Sequence, residues 1–330
     1  MATKLFITGG TGLLGRQILK LLTSEGFEIT ALVRPQSKIK TQKIPNHHQI
    51  KWLEGDILDV AVLEEGISDV DFVIHAAALV SFDPGDRVRL FETNVRGTAN
   101  VVNACLANPN LRKMIHISSV ASLSPSKPMP TEIDERQGFN QSERTSDYAN
   151  SKYLAELEIA RGVVEGLKAM SVNPSIILAP GTSDESSASL IEYVRKGRPF
   201  YPIGWINYVD ARDIATAVVR FLHEGPTQGE RFILNAGYLS YKEFLNQVAD
   251  TLHTRPPFIK AGRFIAEVGW RIDEPVSFLL GKKPFLTRYT AAASYKRLGY
   301  QNNKLLELWP DFRYHSLPET LTWLVGSSEV

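Results

Sequence analysis

The chain has 330 residues, 43% of them hydrophobic and 22% charged, enough to bury the core of one large domain or of two joined ones in a soluble protein. Its 37 lysines and arginines balance 36 aspartates and glutamates to a net charge of +1 without a basic stripe, which sets nucleic acid aside as a partner. Cys105, the only cysteine, excludes an internal disulfide and a paired-cysteine metal site; no apolar run reaches the length of a signal core or a membrane span, so a reducing cytoplasm is the expected location.

Short β-branched runs alternate with longer stretches of helical period through the first half, the pattern of a parallel sheet with helices on both faces. Strands are predicted near Leu5 to Thr8, Glu28 to Val33, Ile50 to Glu54, Phe72 to His75, Met114 to Ile117 and Ser175 to Leu178. The clearest helices run from Val88 to about Ala107, Thr145 to about Val164 and Ala211 to Leu222. Gly162 and Gly166, then Asn173-Pro174, are expected to mark the frayed end of the second helix and the entry to the next strand. After Pro180-Gly181 the alternation is lost and aromatics gather, which predicts a second lobe. Asn207-Tyr208-Val209, the helical pattern from Asp210, and Arg231 to Leu234 then read as strand, helix, strand returning to the first sheet. The expected division is a dinucleotide-binding domain over 1–180, rejoined by 206–235, and a substrate lobe over 181–330.

Between the first strand and the first helix lies Thr8-Gly9-Gly10-Thr11-Gly12-Leu13-Leu14-Gly15. A strand running in and an amphipathic helix running out aim the turn's backbone N–H groups and the positive end of the helix dipole at one point, where a pyrophosphate binds. The early glycines permit the tight turn, Gly12 lets phosphate approach the main chain, and Gly15 lets helix and strand pack closely. This predicts a Rossmann-type doubly wound sheet. NAD sites carry a carboxylate at the end of the second strand, but here the sequence is Leu32-Val33-Arg34-Pro35. Arg34 suits a 2′-phosphate, with Ser37 or Lys38 assisting, so NADP(H) is favoured over NAD(H).

Tyr148 and Lys152 stand four residues apart on one helix face. A free phenol titrates near pH ~10, and lowering that by about three units takes roughly 4 kcal/mol, which Lys152 and an oxidised nicotinamide together can supply. Ser118-Ser119 ends the fifth strand, at the carboxyl edge where open parallel sheets bind ligands. There Ser119 can hold a carbonyl oxygen while Tyr148 delivers a proton. His47-His48 has no metal-ligand partner at suitable spacing and reads as surface, so no metal is expected.

These stretches together resemble the extended short-chain dehydrogenase/reductase family over essentially the whole chain. The glycine turn resembles that family's T-G-x-x-G-x-x-G, Gly55-Asp56-Ile57 its adenine-binding stretch, and His75-Ala76-Ala77-Ala78 the segment lining the cofactor. Asn94-Val95-Arg96-Gly97-Thr98, Ser119, Tyr148 with Lys152, Pro180-Gly181 and Tyr208 to Ala215 continue the match. The resemblance implies that Asp56 and Ile57 flank the adenine, that Lys152 also bonds the nicotinamide ribose, and that a C-terminal lobe covers the substrate. It implies a homodimer through the helices around 88–107 and 145–164. Sugar-nucleotide epimerases of the family place an asparagine and an arginine where this chain has Leu178 and Ile206, whereas branches similar to dihydroflavonol 4-reductase and 3β-hydroxysteroid dehydrogenase share Arg34 and the V-D-x-R-D stretch. The expected activity is NADPH-dependent reduction of a small apolar or mixed ketone or aldehyde, walled by Val80, Ser81, Phe82, Ser122, Leu123 and part of 182–206. A sugar-nucleotide epimerase or dehydratase with tightly held NAD is the alternative enzyme, and a non-catalytic NADP-binding sensor the alternative of another class.

Overall fold

The computed structural model describes residues 2–123, 131–140, 145–181, 186–279, 284 and 286–327. Seven parallel strands form the main sheet: β1 (Lys4–Thr8), β2 (Glu28–Val33), β3 (Ile50–Glu54), β4 (Phe72–His75), β5 (Lys113–Ile117), β6 (Ala169–Pro174) and β9 (Gln228–Leu234). Their order is β9-β6-β5-β4-β1-β2-β3, so the chain reverses direction across the sheet between β1 and β4. The central strands are buried along nearly their whole length, as a sheet covered on both faces requires. Alternate residues feed different layers: Leu5 and Ile7 join one apolar cluster with Ile74, Ile115 and Met170, while Phe6 joins the other with Val73, Met114 and Ala169.

Helix α1 (Leu13–Ser24) buries Leu14, Ile18 and Leu22, one face at helical spacing, against α5 (Ala211–Glu224). On the opposite face lie α2 (Val60–Ile67), α3 (Gly97–Ala107) and α4 (Asp147–Val164). The predicted helix over 88–107 is three consecutive pieces, Arg87–Leu90, a π-helical turn Phe91–Arg96, and α3.

Three details differ from what the sequence predicts. Gly162 does not fray α4: it is buried inside it, where a Cβ would come within 2.7 Å of Val102, so glycine serves the close approach of α3. The helix ends beyond it, at Gly166, whose φ of +104° favours glycine. The strand that follows is β6, wholly buried in the main sheet, and the predicted strand at 175–178 is a separate one, β7 (Ile176–Leu178). β7 pairs with β8 (Trp205–Asp210) and β8 with β10 (Gly237–Ser240) in a smaller sheet, so 205–210 does not rejoin the main one, whereas α5 and β9 do. The smaller sheet shares a core with Ile191, Phe244, Leu245 and Leu321.

Candidate active site

The carboxyl ends of β1, β4 and β5 and the start of α4 frame the site. β1 enters Gly9 at φ +75°, and a Cβ there would lie 2.5 Å from the main chain of Ala76 and Ala77 as β4 exits. A Cβ on Gly15 would lie 2.2 Å from the Gly9 carbonyl oxygen. Gly12 is different: it is exposed, and the nearest atom to its Cβ would be the Gly9 oxygen at 3.3 Å. It stands at the N-cap of α1 with no side chain capping the helix. Leu14 packs into the core and Leu13 partly against it, so the turn offers main chain rather than side chain. An uncapped helix start behind an unencumbered glycine fits a dinucleotide diphosphate.

Arg34 is exposed at the end of β2 and precedes a 3-10 helix, Pro35–Lys43, where the Ser37 N–H donates to the Arg34 carbonyl at 2.8 Å. Lys38 lies in that helix, its side chain outside the described residues. Asp56 accepts the Leu58 N–H at 3.0 Å, and the Ile57 side chain is buried beside Gly97. Ala76 and Ala77 are half-buried and Ala78 exposed as the chain leaves β4; the Ala77 N–H donates to the Thr8 hydroxyl at 3.2 Å.

Ser146 caps α4 by accepting the Ala149 N–H at 3.1 Å, which sets Tyr148 in the first turn and Lys152 in the second. Both are buried, and Lys152 Nζ donates to the carbonyl of Ile117, the last residue of β5, at 2.8 Å. Two residues on, the Ser119 hydroxyl accepts the Ala121 N–H at 3.1 Å. Burial pushes the Tyr148 phenol above its ordinary value, opposed by its hydrogen bond with Ser119. Of the two influences, desolvation of the phenolate is the larger. Burial also lowers Lys152 to about 8, with Glu156 pulling the other way.

The Phe82 ring meets the Tyr148 ring edge to face at 5.6 Å, and Phe82 and Val80 both keep exposed surface. Ser81 is buried and donates to Asp86 at 2.8 Å, fixing that loop. Leu123, expected as a substrate wall, is instead 3% exposed and packed with Ile133 and Ile233. Residues 182–185 of the expected wall lie outside the described residues.

A buried polar chain escaped the sequence reading. His75 Nδ1 is 2.8 Å from the Thr8 hydroxyl and its Nε2 2.9 Å from the Thr98 hydroxyl. Asn94, in the π-helical turn, donates to the Leu79 carbonyl and to Ser151 at 2.9 Å, and accepts the Leu79 N–H at 2.7 Å. It thereby ties the loop after β4 to α4 behind Tyr148. The signal was available: polar residues at strand ends and at a helix position otherwise reserved for the core. The His75 ring stacks on His116 at 5.4 Å, and burial, with Lys152 adding to it, lowers His75 to about 3 and His116 well below its usual range.

Sheet order, glycine cradle and edge define a nicotinamide-dinucleotide enzyme built on a doubly wound sheet. The model of the NAD dependent epimerase/dehydratase family matches residues 5–237, and the chain belongs to that family; it is an NAD(P)-dependent oxidoreductase of the extended short-chain dehydrogenase/reductase type. It is 26% identical over 93% of its length to 89% of a Synechocystis protein that carries the provisional name dihydroflavonol 4-reductase. It is 27% identical to cinnamoyl-CoA reductase 1 of Petunia hybrida, over 69% of this chain and 71% of that one. The Bordetella bronchiseptica enzyme WbmH, solved in complex with NAD+, shares the fold with a TM-score of 0.77 at 20% identity over 99% of this chain and 98% of its own.

Proposed function

We propose that the protein reduces a ketone or aldehyde of a small apolar or mixed organic substrate, using NADPH. The observation that carries this reading is the trio at the sheet edge: Tyr148 buried beside the Ser119 hydroxyl, with Lys152 pinned to the end of β5. Reduced nicotinamide, when bound along this edge, supplies the hydride. Ser119 orients the substrate's carbonyl oxygen by hydrogen bonding. Tyr148, kept protonated by burial, gives that oxygen its proton, and the Lys152 ammonium stabilises the phenolate left behind and holds the cofactor ribose. Phe82 and Val80 offer the substrate an apolar wall.

Exposed Arg34, with no carboxylate at the end of β2, supports NADPH. Asp56 and Ile57 at the adenine, and Ala76 to Ala78 along the cofactor, complete the site. Reductase names among the relatives agree with carbonyl reduction. The sugar-nucleotide alternative has less support, because Leu178 and Ile206 are both buried in the lobe core and offer a diphosphate nothing.

Among the described residues no helix is long and apolar enough to cross a membrane, and a cytoplasmic location is part of the proposal. So is a homodimer through the helices that leave Val88 and Leu157 exposed, which sedimentation tests. Native mass spectrometry should find NADP(H) or bare protein, and a screen of ketones and aldehydes should consume NADPH. Tightly held NAD together with sugar-nucleotide turnover and no carbonyl reduction would overturn the reading.

A further inference from the structure

One turn beyond Lys152 on α4, Glu156 sits almost buried, its side chain 10% exposed, at the centre of a polar cluster. Its Oε1 accepts from the Ser118 hydroxyl at 2.5 Å, the Ser122 hydroxyl at 2.6 Å and the Asn173 amide at 2.6 Å. Its Oε2 faces Arg231 of β9 at 3.3 Å, and Arg231 is fixed in turn by the carbonyls of Glu135 and Gln137 at 2.9 and 2.8 Å. Two of these three donors also bond Ser119. Its carbonyl receives the Asn173 amide at 3.1 Å and the Ser122 hydroxyl at 2.8 Å.

Hydrogen counting shows how much depends on the carboxylate. Asn173 Nδ2 has two hydrogens and faces Ser119, Ser122 and Glu156, and the single Ser122 proton faces both Glu156 and Ser119. Asn173 Oδ1 has no partner among the described residues. Turning the amide over would place that oxygen against the Ser119 carbonyl and the Glu156 carboxylate, so the negative charge dictates which way it points. Without Glu156 the amide and the serines lose the acceptor that orders them, and Ser119 loses its backing.

We propose that Glu156 is a positioning residue for the reduction: through Ser118, Ser122 and Asn173 it fixes the Ser119 loop, and from the same helix face it holds Lys152 in register with that loop. This rests on the carbonyl-reductase reading given above. The groups that act on or are acted on by Lys152 are Glu156 from its own helix, His75 from β4 and His116 from β5; Arg231 faces Glu156. Both imidazoles are held neutral, so Glu156 is the group that opposes burial in keeping Lys152 charged.

The test is Glu156→Gln, which keeps size but sets an amide NH2 against Arg231 or the serine donors. We expect kcat to fall about tenfold to a hundredfold with the NADPH dissociation constant held within about twofold, the mark of a displaced reacting group. The pH profile should break at lower pH as Lys152 deprotonates more readily, and hydrogen–deuterium exchange should accelerate over residues 118–123. Wild-type kcat and exchange would overturn the proposal, as would equal losses of kcat and NADPH binding with faster exchange everywhere. If Glu156→Gln fails to fold, Ser122→Ala removes one donor and leaves the Glu156–Arg231 pair intact. It should lower kcat by about threefold or more and quicken exchange only over 118–123, and no change in either overturns the idea. Should the wild type reduce no carbonyl, the functional reading fails by itself. Exchange over 118–123 then decides the positioning role alone, since an unchanged rate in both variants refutes it.

Discussion

The two ends of the site are made of different materials. Around Gly9, Gly12 and Gly15 the chain strips away side chains until main chain meets main chain, and what it offers a ligand is backbone amide and helix dipole. Around Tyr148 it does the reverse, burying a phenol, an ammonium, two imidazoles and two hydroxyls, with one imidazole bonded by both hydroxyls and the ammonium by a backbone carbonyl. A cofactor's diphosphate is the same in every reaction and needs only shape and positive potential. A proton transfer needs particular groups with particular affinities for the proton, and those require burial and partners. The difference separates binding from chemistry, so it can be broken by mutations at either end.

The largest effect should come from Tyr148→Phe. Removing the proton source while leaving the ring against Phe82 should lower kcat by about 10²–10⁴-fold with NADPH affinity nearly intact. A phenylalanine variant at wild-type rate would take the chemistry away from this end. Next is the contrast between two glycines. Gly15→Ala forces a Cβ onto the Gly9 carbonyl oxygen at 2.2 Å and should cost about 3 kcal/mol of folding stability in urea melts. Gly12→Ala meets only one atom, at 3.3 Å, so stability should change by less than about 1 kcal/mol while NADPH binding weakens about tenfold. If Gly12→Ala binds NADPH like the wild type, no phosphate lies over that turn.

The glycine end was also the more legible one, because local rules write it: a strand, a turn that must avoid side chains, and a helix follow one another in sequence. Tyr148 and Lys152 were legible for the same reason, by a four-residue spacing on one helix. What escaped was set by contacts between distant segments. β6, Ala169-Met170-Ser171-Val172-Asn173-Pro174, carries one β-branched residue, no alternation and a terminal proline, yet all six residues are buried because sheet covers both its edges. Asn173 reads as a loop residue in sequence and is a fully buried amide in space. Leu123 shows the converse, an apolar residue one position after Ser122 that packs with Ile133 and Ile233 in the interior.

Arg34 sharpens the comparison from the binding side. Its removal in Arg34→Ala should deprive a 2′-phosphate of a charge-assisted hydrogen bond, weakening NADPH about 10–100-fold and leaving NADH unchanged. Equal losses for both cofactors would move Arg34 to a general electrostatic role.

One further effect belongs to the buried side of the chemical end and appears without any ligand. His75 and His116 are held neutral, their proton affinities lowered by burial and by the nearby Lys152. In the unfolded chain each takes a proton near pH ~6.5, whereas in the folded one His75 does so only near about 3. Below the unfolded value the unfolded state therefore binds more protons, so stability falls as pH falls. The loss begins near pH ~6.5 and continues toward the folded value, on the order of 1–2 kcal/mol for the pair at pH ~6 relative to slightly alkaline solution. Urea denaturation at those two pH values measures it. NMR titration of the imidazole protons should show two of the seven histidines still neutral at pH ~5. If every histidine titrates between pH ~6 and ~7, the stacked pair is open to water, and the Tyr148 end is as exposed as the glycine end.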